Sequence, residues 1–424
     1  MAVVLDKLLR RPVLFAVFIS CFVLYSGFFK ISSKNPAVFL FAAEEICQIE
    51  GKILSSPVKT SSEKYYFCDF MLTKVFKENY AASSAKGIIK LYIPKQDIEA
   101  LYPDHLYSTS NANKTKTSIF ESGLFASFTG TFNQDLCFYS KNCKEVFWKK
   151  DFAGRLSYFR AVCRLNFKRL MYKWGGAGGF LLALLCGSKD FLEKITAEAF
   201  RKAGLSHILA LSGMHLSLFS SLALFTGKKT GSIRISYLLQ LIVISIFVWF
   251  AGLSPSLLRA FICTLLSVIA AISGICWIKT FDILCISFLI QCAVCPSHIQ
   301  NAGFLLSYGA LAGICLLSSF FHRLFVRVIP DKLSSSFSAS LAAQSLTAPI
   351  SLSLFGSFAP VGIIATMFIS PLVTYFIYLG LFLIILTLVF PILQFPSAFF
   401  MNFLYTMIKN LVLFFSRAPL LEVV

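Results

Sequence analysis

The 424 residues are 57% hydrophobic and only 14% charged, with a mean hydropathy of +0.75, which excludes a soluble globular enzyme and a disordered chain. The 39 Lys and Arg against 20 Asp and Glu give a formal charge of +19, suited to anionic partners such as phospholipid headgroups or nucleic acid. Each bilayer crossing uses about 20 apolar residues, so the length predicts a membrane all-α fold, a polytopic helical bundle, with one small inserted domain.

Residues 1–43 are expected to form an N-terminal membrane helix. Lys7, Arg10 and Arg11 precede an apolar run at 13–29 that ends in Phe28-Phe29-Lys30 without a small-residue cleavage site. A retained helix with a basic N-terminus inside places the following residues outside.

From 44 to 150 the pattern changes to short alternating runs at 46–54, 66–72, 89–93, 122–132 and 134–139, separated by Gly, Ser, Pro and Asn clusters. About five short strands in this length predict a small closed β-barrel, OB-like, on the extracytoplasmic side. Cys47, Cys68, Cys137 and Cys143 lie in this domain, and an extracytoplasmic location would permit one or two disulfides with the pairing left open.

Residues 151–204 are expected to form a basic amphipathic helix and a connector. Phe152, Leu156, Phe159, Cys163, Phe167, Leu170 and Trp174 recur at steps of four and three and share one stripe. Arg155, Arg169 and Lys173 flank it on one side, and Arg160, Arg164 and Lys168 on the other. An apolar stripe edged by long cations fits a helix in the headgroup plane, contacting lipid or DNA phosphate, with a solvated basic face as the alternative. The run 180–186 is too short to span and is expected to be re-entrant; 189–204 is an amphipathic connector.

Residues 205–424 contain apolar segments at about 205–226, 236–253, 256–275, 281–295, 302–321, 338–356, 361–390 and 397–416. Pro371 inside the longest predicts a broken or re-entrant helix. Lys228, Lys229 and Arg234, then Lys279, then Arg323, Arg327 and Lys332 follow alternate spans, as cytoplasmic loops do. The register beyond Lys332 stays open.

Polar groups inside such segments are expensive and mark function. Three clusters qualify: Gly204-Leu205-Ser206-His207-Ile208-Leu209-Ala210-Leu211-Ser212-Gly213-Met214-His215, Gly252-Leu253-Ser254-Pro255-Ser256-Leu257-Leu258-Arg259-Ala260, and Ser340-Leu341-Ala342-Ala343-Gln344 with Pro349. His207 and His215 are eight residues apart, about 80 degrees around a helix, which is poor for a shared metal. Ser212 with His215 lacks a nucleophile elbow. No catalytic residue, metal or cofactor is assigned.

These clusters resemble the ComEC family of competence proteins. Leu184-Leu185-Cys186-Gly187, the run from Phe200 through His215, Ser254 through Ala260, Asn301-Ala302-Gly303-Phe304-Leu305-Leu306-Ser307-Tyr308 and Ala342-Ala343-Gln344 to Pro349 are similar to the family's signatures, in order. The expected asparagine is missing near Ile364-Ala365-Thr366-Met367-Phe368. The resemblance implies a multi-pass protein of the bacterial inner membrane that passes single-stranded DNA inward during natural transformation, with His207, Ser212, His215, Arg259, Asn301 and Gln344 along the path. Tyr65, Tyr66, Phe67, Tyr92 and Phe125 of the barrel are candidates to stack bases. The implied partners are single-stranded DNA, membrane lipid, a DNA-receptor protein, a cytoplasmic helicase-like motor and a separate nuclease. Many members carry a C-terminal metallo-β-lactamase-like domain; with no His-x-His-x-Asp-His run before Val424, the expectation is a form without it and no enzyme. An exporter or envelope-assembly factor that keeps the same bundle is the alternative.

Overall fold

The computed structural model describes residues 37–424 apart from 61, 78–81, 101–118, 134, 212, 230, 275–278, 329 and 423–424, together with 14, 16, 17, 20 and 21. The expected first membrane helix lies almost entirely outside the described residues. The chain divides into two compact units, one of Lys34–Leu182 with Ser188–Phe191 and one of Met1–Ser33, Ala183–Gly187 and Leu192–Val424.

The first unit is built on β1 (Ile46–Ile53), β2 (Val58–Lys59), β3 (Tyr65–Lys77), β4 (Ala82–Ser84), β5 (Ile88–Pro94), the short helix α1 (Lys95–Glu99), β6 (Phe125–Phe132) and β7 (Cys137–Phe147). Strand β1 pairs with both β3 and β6, β6 with β7, β7 in parallel with β5, and β5 with β3, which closes a five-stranded barrel. Closure removes the exposed edges of a small sheet. Two glycines let it curl: a Cβ on Gly51 would sit 2.0 Å from the Met71 carbonyl oxygen, and one on Gly130 2.0 Å from that of Tyr139.

The alternation read from sequence is the one that builds the core. Tyr66, Cys68, Phe70 and Leu72 of β3 point inward with Ile89, Leu91 and Ile93 of β5 and Ile46, Ile49 and Ile53 of β1. The last strand starts later than its apolar run suggests. The Leu136 amide donates to the Asn133 carbonyl in a tight turn at 3.0 Å, so pairing begins only at Cys137. Cys47, Cys68, Cys137 and Cys143 are all free thiols, so none of the permitted disulfides is formed. Burial pushes the Cys68 thiol well above its usual range and the Cys143 thiol up to about 12.

Helix α2 (Phe152–Lys173) completes this unit, its N-terminus capped by the Asp151 carboxylate accepting from the Gly154 amide at 2.9 Å. Helix α3 (Gly175–Cys186) follows, with Phe180 to Cys186 buried.

The second unit contains α4 (Lys194–Lys202), α5 (Ser206–Leu209), α6 (Gly213–Lys228), α7 (Ile233–Ala251), α8 (Pro255–Ile272), α9 (Thr280–Val294), α10 (Ala302–Phe325), α11 (Asp331–Phe355), β8 (Ser357–Phe358), α12 (Gly362–Val389), α13 (Gln394–Phe415) and β9 (Leu421–Glu422). Among the described residues, five segments are long and apolar enough to cross a membrane: Ile233–Ala251, Pro255–Ile272, Ala302–Phe325, Gly362–Val389 and Pro391–Phe415. The protein is a multi-pass membrane protein.

Two expectations change here. The apolar segment at 205–226 is not one helix but the short α5 and the separate α6, broken where Ala210 turns extended. In contrast, α12 runs unbroken for 28 residues through Pro371. That proline removes one amide donor, and neighbouring helices in a bundle tolerate the loss.

Short connections make successive long helices antiparallel. Lys228, Lys229, Arg234, Lys279, Arg323, Arg327 and Lys332 therefore gather at one end of the bundle. At the other end, 252–254, 295–301 and 356–361 carry no Lys or Arg. Ser357 pairs with Glu422 and Phe358 with Leu421, which puts residues 357 and 421 at one end and closes the register beyond Lys332.

Within the bundle, α10 and α11 approach through Gly309 and Gly313, a Gly-x-x-x-Gly spacing. A Cβ on Gly313 would lie 2.2 Å from the Ala342 carbonyl oxygen. Gly313→Leu is expected to cost at least about 2 kcal/mol through overpacking and to lower the amount of folded protein extracted from membranes. Alkaline phosphatase fused after Ser357 should be active and after Arg327 inactive; the reverse result would invert the assigned ends.

Candidate functional site

A glycine with φ 103, Gly252, ends α7, and Ser254 opens α8 by accepting from the Leu257 amide at 3.3 Å. This tight corner sets Arg259 one turn into α8, where it is buried. Its Nη1 donates to the Ser307 carbonyl of α10 at 2.6 Å, and the guanidinium lies 5.8 Å from the Tyr308 ring centroid. Gly213 at the start of α6 makes room for it, since a Cβ there would lie 3.1 Å from Nη2. Among the described residues Arg259 has no carboxylate partner, and its buried Nε has no hydrogen-bond acceptor.

A chain of polar side chains leads away from this cation. The Tyr308 hydroxyl donates to Gln291 Oε1 at 3.1 Å and lies 3.2 Å from the Ser287 hydroxyl. Cys263 donates to Ser287 at 3.3 Å. Gln291 Nε2 donates to the Pro255 carbonyl at 3.0 Å and lies 3.3 Å from His298 Nδ1. Gln291 and Ser287 are fully buried, while Phe288 and Phe304 hold Tyr308 in place with ring centroids 5.3 and 4.7 Å away. Most of this chain lies toward the end of the bundle whose loops carry no Lys or Arg.

The other residues predicted from sequence separate. Asn301 caps α10, its Oδ1 accepting from the Gly303 amide at 2.8 Å, and Ser256 donates to the Gly303 carbonyl at 3.1 Å. His215 is fully buried on α6, two residues from Gly213; His207 is exposed on α5. Ser212 lies outside the described residues. Gln344 belongs to a second junction, where its Nε2 would be 3.1 Å from a Cβ on Gly362, while Gly204, at φ +71, packs on Ala359. Its Oε1 is buried without a hydrogen-bond donor among the described residues.

In the barrel unit the six predicted phosphate contacts divide into two groups. Arg164, Lys168 and Arg169 are buried, and Arg160 donates to Ser122 at 3.0 Å. Arg164 Nε lies 3.1 Å from Glu121, and Lys168 Nζ lies 3.8 Å from Glu121 and 2.9 Å from Asp190. Only Arg155 and Lys173 are exposed. Burial pushes the Glu121 carboxyl up, but Arg164 and Lys168, the Ser56 hydroxyl and Arg160 outweigh it and hold the group at about 2. Burial likewise opposes charge on Lys168, and Asp190 and Glu121 raise it nonetheless.

Of the aromatic candidates, Tyr66 is core and donates to Glu99 at 3.0 Å. Tyr65, Phe67 and Tyr92 are half-buried on the outer face of β3 and β5 and are joined there by Tyr139 of β7. Tyr92 stacks on Tyr139 with centroids 4.6 Å apart, Tyr65 meets Tyr139 edge-on at 5.5 Å, and Phe67 lies 6.2 Å from Tyr92 with Lys90 over its ring. Phe125 stands apart, stacked on Phe147.

The family model described as competence protein matches residues 184–424, more than half of the chain and every bundle residue named above. The chain belongs to the competence protein family. It is 28% identical over 204 residues to ComE operon protein 3 of Bacillus subtilis (strain 168), an alignment covering 48% of the chain and 25% of that relative. The chain thus spans about a quarter of the length of the curated relative it matches. No solved structure matches.

Within this family member, Tyr308, Gln291, Ser287 and Cys263 are the functional candidates that sequence reasoning missed. Ser287 and Gln291 four apart on an otherwise apolar helix were the available signal. For the barrel, the depressed Glu121 carboxyl contributes stability that is complete above the ordinary carboxylate value of about 4.3 and is lost as pH falls through about 2. Glu121→Ala leaves Arg164 and Lys168 without that partner and should destabilise the barrel unit by about 3–5 kcal/mol. Urea unfolding followed by hydrogen exchange in 120–132 measures both effects.

Proposed function

We propose that the bundle passes single-stranded DNA across the bacterial inner membrane during natural transformation, without cleaving it, and that the Arg259 network lies on the path. The observation that carries this reading is a buried guanidinium whose described partners are a carbonyl and a tyrosine ring rather than a carboxylate. A cation at membrane depth costs about 2.5–3.5 kcal/mol, and a passing phosphate supplies the negative charge that its neighbours do not. Tyr308, Gln291 and Ser287 add neutral donors and acceptors, which suit a polyanion that must bind and leave. His215 and Gln344 take the same role elsewhere in the bundle.

The barrel serves as the entrance in this proposal. Tyr65, Phe67, Tyr92 and Tyr139 form an aromatic row across three adjacent strands, with Lys90 beside it; bases stack on such rows without sequence preference. A DNA receptor delivers the strand, a cytoplasmic helicase-like motor pulls it, and a separate nuclease removes the other strand. Family membership supports this assignment of roles.

Arg259→Ala and His215→Ala should each reduce import of labelled DNA at least tenfold in a competent host at near-normal abundance, while Arg259→Lys retains part of it. Normal import by both alanine variants, or their loss from the membrane, would refute a path role. Tyr92→Ala should weaken binding of oligo-dT to the purified protein by about 1–3 kcal/mol, measured by fluorescence anisotropy at fixed salt.

A further inference from the structure

Helix α2 is turned the opposite way from a helix on a soluble domain. Its cations Arg164 and Lys168 are buried against Glu121 and Asp190 of its own unit, whereas Phe152, Leu156 and Phe159 are 83%, 42% and 59% exposed. These three occupy positions i, i+4 and i+7 and form one outward stripe. Phe147, at the end of β7, is also exposed. Around them stand Lys149, Lys150 and Arg155, all exposed, with Asp151 engaged in capping the helix.

We infer that this patch is a lipid-docking surface, by which the barrel unit rests on an anionic bilayer with Phe152, Leu156 and Phe159 among the acyl chains. Three observations select lipid. Arg164 and Lys168 are fixed by Glu121 and Asp190, so buried ion pairs set the helix orientation and leave the apolar stripe outward. Lys149, Lys150 and Arg155 complement anionic headgroups beside that stripe, the arrangement of an interfacial helix. The chain also passes into the unit that holds the membrane-spanning helices at Ala183, within one helix of α2, so the two share one polypeptide with a bilayer-embedded part. The aromatic row proposed to stack bases comprises different residues, so DNA binding and lipid docking can fail separately.

The full-length protein carrying photoreactive benzoylphenylalanine at Phe152, Leu156 or Phe159, or at the exposed barrel residue Val58 as a control, is reconstituted in nanodiscs. One set contains 30% phosphatidylglycerol and the other phosphatidylcholine alone. Irradiation should give lipid adducts, read by intact mass, at 152, 156 and 159 with at least fivefold the yield at 58. The yield should fall several-fold without phosphatidylglycerol. Phe152→Glu with Phe159→Glu should abolish the adduct at 156 while oligo-dT binding is unchanged. Adducts of twice the chain mass would identify a second copy as the occupant, and lipid yield equal to that at Val58 would leave the stripe without a membrane role; either result overturns the inference.

Discussion

A charge buried away from water must find a partner, and most of this architecture can be traced to how each buried cation meets that demand. In the barrel unit Arg164 and Lys168 meet Glu121 and Asp190, and the pairing fixes which way α2 faces. In the bundle Arg259 meets a carbonyl and an aromatic ring. The first solution is complete and rigid. The second leaves Arg259 Nε without an acceptor among the described residues, which in the proposed function a passing phosphate would supply.

The bundle organises itself around the second solution. Gly252 and Ser254 form the corner that delivers Arg259, Gly213 clears space beside it, and Tyr308, under the guanidinium, donates to Gln291 and meets the Ser287 hydroxyl. Three helices are thereby tied together by side-chain hydrogen bonds rather than by apolar packing alone. Such bonds are worth only about 0.6 kcal/mol on average between membrane helices. They contribute little to the stability of the bundle, and their part in the proposed passage of DNA is to offer neutral donors and acceptors beside Arg259.

Much of this was legible in the sequence, for identifiable reasons. Tyr66, Cys68, Phe70 and Leu72 alternate because one face of β3 is core, and period-two patterns survive without knowledge of the partners. The separation of basic from uncharged loops needed only counting. What could not be read were contacts between distant residues: Glu121 lies 43 positions before Arg164, and nothing local marks it as the partner. The spacing on α2 marks Phe152, Leu156 and Phe159, which are exposed, but also Trp174, which is fully buried, and it does not set Arg164 and Lys168 apart from Arg155. Pro371 misled for the opposite reason, since a local rule about helix breaking yielded to packing in the bundle. Ser212 and the first membrane helix fall outside the described residues.

If the strand passes the Arg259 network as proposed, DNA in transit can be caught there. A photoreactive benzoylphenylalanine replacing Tyr308 in a competent host, irradiated while fluorescent DNA is being taken up, should form a protein–DNA adduct. The adduct should appear during uptake, disappear once uptake is complete, and be lost when uptake is de-energised. Such an adduct is expected at 308 and none from the same probe at Phe395, an exposed apolar residue of α13. DNA that enters normally while leaving no adduct at 308, or adducts of equal yield at 395, would contradict it.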